Sequence, residues 1–393
     1  MSATSARRNS AVRVAVIGGG VIGLSCALEL KRRGAEVVVY ERGMEIGAGV
    51  TSRSAGMLGA AFEWSLEADE LAMAALARQA GEMWPDFAAR VERLGGGGVE
   101  LSAEGALVVA RTPAELDWLG GMAAACQARD LPVRRLAAAE LKREEPALTG
   151  KVLGGLELPG DRQVDPQKLL LRLGAALGKS GVGIRMGRAI ERVQIASGFQ
   201  MQDGDKFERV VLATGAGSKP RFVSWQGDVL ETGLPDIVPV KGQMLALAPV
   251  AGAPKHVVHA RDVYIAPKAR WVLVGATTER GKADTGVDPD QIARLKAAAV
   301  ALAGRLADAP EVTAWAGVRP GTPDDKPLIG ETAIPGVFAA MGHYRNGILL
   351  APVTADVIAD QVLDGKVSGL AKPFSPGRFD KPAKAPHSRS SKH

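Results

Sequence analysis

The sequence predicts an α/β chain, α+β overall. A doubly wound domain with a mostly parallel sheet is interrupted by a second domain built on an antiparallel sheet. Three observations predict it. The chain opens as strand, glycine turn, helix and strand within its first forty residues. Strand–helix alternation resumes near residue 150 and again after residue 311. Between them, residues 237–275 hold four short β-rich runs with no helical period. A length of 393 residues suits two or three domains, and 46% hydrophobic with 23% charged residues is a globular composition.

The elements follow in order. Val12 to Ile17 is a β-branched run, Gly18 to Gly23 a turn, and residues 21–33 an apolar-faced helix closed by Gly34. Val37 to Tyr40 forms the second strand and ends in Glu41. Helices are expected at 68–93 and 113–129, the second opened by Thr112-Pro113, a cap residue followed by proline at the first helical position. Asp165-Pro166 and Asp288-Pro289 repeat that start before helices over Leu169 to Leu177 and on to Leu306. Strands are expected at 182–186, 190–195, 199–201, 210–213, 243–247, 257–259, 263–266 and 271–274, and a closing strand at 337–342 leads to a helix at 347–363. The expected division is a tail at 1–10, a dinucleotide-binding domain from 11–70, 150–222 and 318–371, a substrate domain from 71–149 and 223–317, and a disordered basic tail at 372–393.

The net charge of +6 lies in the two tails, +2 over residues 1–10 and +5 over 372–393, so residues 11–371 carry −1. That excludes a basic groove for nucleic acid. Two cysteines, Cys26 and Cys126, make no disulfide framework, and five scattered histidines make no metal site. The expected location is a reducing cytoplasm. The most apolar stretch, Val14 to Leu28, holds four glycines and is too short for a membrane span.

The glycine turn carries the first chemistry. Gly18 permits a sharp turn, Gly20 lets backbone approach a pyrophosphate, and Gly23 lets helix sit close to strand. The helix start then meets phosphate charge with its N–H groups. Glu41, at the end of the second strand, suits both ribose hydroxyls and disfavours a 2′-phosphate. The small residues of Ser52 to Leu58 suit backbone lying against a flat ring. A second glycine turn, Thr214-Gly215, follows another strand. Together these point to FAD, in extended form, on a Rossmann-like domain.

Further blocks carry a resemblance: Ser54 to Ala60, Val240-Lys241-Gly242-Gln243, Tyr264-Ile265-Ala266-Pro267, Val274-Gly275-Ala276-Thr277, Trp315 to Thr322, and Gly342 to Pro352. In that order, over about residues 12–365, they resemble the D-amino acid oxidase superfamily, and within it the glycine oxidases of thiamine (thiazole) biosynthesis. Arg319, beside the turn Pro320-Gly321, can hold a carboxylate through two parallel hydrogen bonds. The resemblance makes it the substrate-carboxylate ligand. Tyr264, read as ending a short strand, would donate to the same carboxylate. Arg345 resembles a family residue near the substrate that assists charge on the reduced cofactor. His343, Tyr344, Arg345, Asn346, Gly347, Ile348 and Leu349 would put N–H groups and a helix start against the flavin pyrimidine edge. His343 is read as a backbone contributor rather than a base.

By the same resemblance Val21, Ile22, Glu41, Arg42, Thr51, Ala55, Gly56 and Met57 would touch FAD, and Val193 would meet the adenine through its main chain. Two positions depart from the glycine oxidase pattern: Asp262 where histidine is expected, and Thr278 where methionine is. Both would line the substrate pocket and bear on substrate preference. No cysteine follows Cys126, so FAD is expected to be non-covalent. The implied activity is oxidation of glycine, with O2 as acceptor, to an imine, glyoxylate, ammonia and hydrogen peroxide. Implied partners are the small amino acid, thiazole synthase and further copies of the chain, as a tetramer by resemblance. A D-amino acid or sarcosine-type oxidase or dehydrogenase, and a non-enzymatic flavin binder, stay open.

Overall fold

The computed structural model describes residues 11–66 and 71–379, so the expected tail at 1–10 lies outside the described residues. Its helices are α1 (Val21–Arg32), α2 (Ala60–Leu66), α3 (Leu71–Gly95), α4 (Pro113–Gln127), α5 (Ala138–Glu144), α6 (Pro166–Lys179), α7 (Pro289–Leu302) and α8 (Gly347–Asp364). The proline starts behave as read. Thr112 and Glu115 form a reciprocal capping box on α4, and the Asp165 carboxylate accepts from the N–H groups of Gln167 and Lys168 at the head of α6. Each such cap is worth about 1 kcal/mol.

Six strands form the first sheet, in the order Leu328–Glu331, Val337–Met341, Arg209–Leu212, Arg13–Ile17, Glu36–Tyr40, Gly183–Arg185. All neighbours are parallel except the outermost pair, Leu328–Glu331 with Val337–Met341. Val337–Met341 is buried along its whole length, as a strand covered on both faces must be. Helices α1, α3, α6 and α8 share the larger core with this sheet, through Leu24, Leu76, Trp84, Leu169 and Ile358. A smaller core joins Tyr40, Phe199, Phe207 and Phe222, three of them from a five-stranded sheet over residues 192–230. The strand runs near 182–201 were legible, but not their division: Gly183–Arg185 joins the first sheet, while Arg192–Ile195 and Phe199–Met201 join the second.

The third sheet has nine strands. Its longest ladder pairs Val238–Leu247 with Glu311–Gly321, antiparallel from Val238 opposite Gly321 to Leu247 opposite Glu311. Gly154–Leu158, on the flavin side of the expected boundary, belongs to this sheet as well.

Three readings are corrected by the observed elements. Tyr264 opens its strand, Tyr264–Pro267, rather than ending it. Arg319 lies inside Glu311–Gly321, opposite Val240, and not between strand and turn. Residues 372–379 are not a disordered tail: Phe374 is fully buried, and Arg378 donates to the Asp324 carboxylate and to the carbonyl of Pro327. One buried aromatic and one guanidinium with several acceptors hold this segment in place. Residues 380–393 lie outside the described residues. No helix among the described residues is long and apolar enough to cross a membrane.

Candidate active site

A cavity of about 350 Å³ is lined by both the first sheet's connections and the nine-stranded sheet. At one end α1 begins. Gly20 is its N-cap, no side chain caps it, and its first turn holds no acidic residue, while Gly20, Val21 and Ile22 face the cavity. Backbone packs on backbone beneath: a Cβ on Gly18 would lie 2.2 Å from the Ala213 carbonyl oxygen, and one on Gly23 would lie 1.9 Å from that of Gly18. Only glycine fits either place. Thr51 accepts from the Val21 N–H at 3.3 Å and lines the cavity with Ala55, Gly56, Met57 and Gly215.

Several residues assigned to FAD do not line the cavity. Gly18, Gly23 and Thr214 shape the turns behind it. Glu41 accepts the N–H groups of Gly19 and Gly43, both at 2.7 Å, so in this structure it braces the glycine turn. Arg42 lies against Gly217. Val193 is fully buried, its strand paired on both sides, and Leu349 turns its carbonyl to the Trp84 indole N–H at 2.9 Å.

The loop before α8 lines the other side of the cavity with His343 to Ile348. Here too the helix start is open, for Asn346 makes no side-chain cap and the first turn holds no acid. The Tyr344 N–H donates to the Pro320 carbonyl at 2.9 Å, tying this loop to the strand of Arg319. The His343 imidazole sits 3.0 Å from the Thr354 hydroxyl. Burial pushes it down to about 3, so the ring is uncharged near pH 7 and only weakly basic.

The end of the cavity against the nine-stranded sheet is made of side chains. Arg319 lies across Gly242, where a Cβ would come within 2.4 Å of its guanidinium, and it donates to the Thr277 carbonyl at 3.1 Å. The Tyr264 ring lies against Gly275, where a Cβ would come within 2.5 Å of the hydroxyl. That hydroxyl sits 3.4 Å from the Met244 sulfur. Burial pushes the phenol up to about 12; the Arg319 charge opposes this and the Glu63 charge adds to it. It remains a donor throughout the working range. Arg345 pairs with Glu63 at 2.7 Å. Thr278 and Asp262 both line the cavity, but Asp262 stands half-exposed, bound to Arg111 at 2.6 Å. Arg111 also pairs with Glu115 at 3.3 Å.

Glu63, Gly242, Gly275, Met244 and His259 were not assigned from the sequence. A glycine inside a strand marks close approach of another group, so Gly242 and Gly275 carried a signal. Glu63 carried none. His259 stacks on Phe62 at 3.7 Å between ring centres and is held at about 3 by burial. Cys26 and Cys126 are buried thiols, pushed up to about 12 and about 11 by burial, and neither lines the cavity. Among the described residues no group of three or more His, Cys, Asp or Glu could hold a metal ion.

Two open helix starts over one cavity fit a group with phosphates at one end and an electron-rich ring edge at the other. Gly18 and Gly23 let the turn close tightly behind the first. Fold and site together define a dinucleotide-binding oxidoreductase whose cavity is also lined by the nine-stranded sheet. Residues 13–361 match the family described as FAD dependent oxidoreductase (DAO). The chain belongs to this family, and its cofactor is FAD. It is 33% identical over 370 residues to the glycine oxidase of Geobacillus kaustophilus, covering 92% of this chain and 96% of that one. The crystal structure of glycine oxidase from Geobacillus kaustophilus superposes with a TM-score of 0.84, covering 93% of this chain and 99% of the other. The chain is also 34% identical over 385 residues to the bifunctional protein ThiO/ThiG of Nostoc sp., covering 94% of itself but 55% of that longer protein.

Proposed function

We propose that the protein oxidises glycine with O2, giving glyoxylate, ammonia and hydrogen peroxide. The observation that carries this is the pair Arg319–Tyr264, set in one cavity with the open start of α8 by two glycines that make room for the two side chains. Arg319 presents two parallel N–H donors to a carboxylate and Tyr264 adds an O–H. A carboxylate held there fixes the Cα beside it, and positioning of this kind lowers a barrier by several kcal/mol. FAD, when bound, supplies the acceptor for the Cα hydrogen and its electron pair. The amine reacts in its neutral form. The neutral imidazoles of His259 and His343 add no positive charge against it. The positive end of α8 would stabilise negative charge on a ring bound against it. The imine then takes up water and releases ammonia, so glycine, O2 and water balance glyoxylate, ammonia and hydrogen peroxide.

The ThiO/ThiG relative supports a place for this product in thiazole synthesis, with thiazole synthase as partner. Two buried thiols suit a reducing cytoplasm, and a homo-oligomer is the assembly we expect. Anaerobic mixing of the yellow protein with glycine, sarcosine, D-alanine and D-proline tests the reading. Glycine should bleach the flavin, and Arg319→Ala should lower kcat/KM for glycine by two to three orders of magnitude with FAD retained. Bleaching by D-alanine or D-proline but not glycine would make it a D-amino acid oxidase instead. Unchanged glycine kinetics in the variant would remove the carboxylate role.

A further inference from the structure

Lys268 turns its ammonium inward, and the reaction above gives it no task. It follows the strand Tyr264–Pro267 and donates to the Gln163 side-chain oxygen at 2.7 Å and to the Val164 carbonyl at 2.8 Å. Both acceptors are neutral. Burial pushes the ammonium down to about 7, against the pull of Asp165 and Glu100. Those carboxylates are engaged elsewhere, Asp165 at the head of α6 and Glu100 with Lys168. A cation placed so costs stability, which its two hydrogen bonds partly offset; the neutral amine can donate both as well. What these bonds hold is the back of the cavity wall. The Val164 N–H donates to the Gly56 carbonyl at 2.8 Å, and a Cβ on Gly56 would come within 2.1 Å of the Val164 carbonyl oxygen. Met57 pairs with Gln163 in a sheet of two strands, Met57–Leu58 and Arg162–Gln163. Gly56 and Met57 line the cavity, and Lys268 stands behind them. So short a pair cannot hold itself, and one bridge from Ser102 to Gln163 extends it. Tyr264–Pro267, by contrast, is paired along both edges, to Val257–His259 and to Val272–Gly275. The ammonium ties the weakly held wall to the firmly held one.

From this arrangement we infer that Lys268 is a positioning residue for the oxidation: by holding the carbonyl beneath Gly56 it sets the distance from the Gly56-Met57 wall to Tyr264. The flavin ring would lie on that wall, and Tyr264 would hold the substrate carboxylate, so the inference rests on the amino acid oxidase reading above. Hydrogen transfer from Cα is sensitive to this separation, and a displacement of about 1 Å can cost about a hundredfold in rate. Carboxylate binding depends instead on Arg319 and Tyr264, neither of which is hydrogen-bonded to Lys268. Loss of the tie should therefore slow the chemical step and leave affinity in place.

The test uses the FAD-loaded chain and two readings, the anaerobic bleaching rate at saturating glycine and the Kd of acetate, a carboxylate that cannot be oxidised, from flavin difference spectra. Lys268→Met keeps the length of the side chain and removes both donors. Bleaching should slow at least tenfold while the acetate Kd stays within twofold of wild type. Lys268→Arg keeps donors at the same place and should recover most of the rate. A wild-type bleaching rate in Lys268→Met, a loss matched by an equal rise in acetate Kd, or no recovery in Lys268→Arg would overturn the inference. Should Lys268→Met lose its flavin, Gln163→Met carries the test by removing one of the two acceptors: bleaching should slow at least threefold with acetate affinity held, and an unchanged rate overturns the proposal. Visible circular dichroism of the bound flavin separates this inference from the reading it rests on. If no amino acid bleaches the flavin, glycine oxidation fails, yet the amplitude should still change at least twofold in Lys268→Met and return in Lys268→Arg. An unchanged spectrum in that case removes the positioning role as well.

Discussion

The two ends of the cavity are made by different means. The end beneath α1 is backbone on backbone, contiguous in sequence from Gly18 to Gly23 and backed by the carbonyl of Ala213. The substrate end is side chain on side chain, assembled from Glu63, Gly242, Tyr264, Gly275, Arg319 and Arg345 on six separate stretches of chain. Backbone recognition tolerates no added atom, because nothing nearby can rotate away. Side-chain recognition tolerates an added atom at the price of a displaced functional group. The first end should therefore fail by losing the cofactor, the second by losing geometry with the cofactor in place.

The largest expected effect tests the first half of that contrast. Gly23→Ala places a Cβ 1.9 Å from the Gly18 carbonyl oxygen, and the turn must move. FAD content after purification should fall to a few per cent, and affinity in a fluorescence titration at least a hundredfold. Retention of bound flavin at wild-type levels would show that the turn has room to yield. Gly242→Ala tests the second half. Its Cβ meets only the far end of Arg319, so flavin content and melting temperature should hold while KM for glycine rises about tenfold or more. Loss of flavin in this variant would erase the distinction between the two ends.

The smallest expected effect concerns pH. With His259 and His343 held at about 3 and Tyr264 pushed up to about 12, kcat/KM for glycine should rise with pH as the amine loses its proton. No limb should come from a histidine near 6.5. For stability the sign is fixed by the depressed histidine values. The unfolded chain takes up protons below about 6.5 and the folded chain does not, so stability is fully present above 6.5 and is lost as pH falls towards about 3. His343→Gln should flatten that loss in melting temperatures taken between pH 7 and 4, and an unchanged slope would mean that the imidazole titrates in the fold.

Much of the fold was legible because its signals are local. Thr112, Asp165 and Asp288 cap helices from within two or three residues, and a β-branched run before a glycine turn needs no distant partner to be read. At the substrate end, the blocks around Tyr264 and Arg319 were legible by resemblance, while their strand positions were off by a residue or more. What stayed hidden depends on pairing over long separations. Glu63 and Arg345 are 282 positions apart, and nothing near either names the other. Likewise, Asp262 reads as a free pocket carboxylate until Arg111 is seen bound to it. Phe374 and Arg378 look like tail residues until the cleft that receives them exists.

The amino-acid order alone determined a glycine turn that excludes side chains, the helix starts that follow it, and an arginine and a tyrosine in recognisable surroundings. Tertiary structure decided which charges meet. It gave Arg319 a carbonyl and Arg345 a carboxylate, and it put Glu41 to work as a brace for the turn. The physical reason is range: backbone conformation is set by neighbours a few residues away, whereas an ion pair is set by distance in space, which only the folded chain defines.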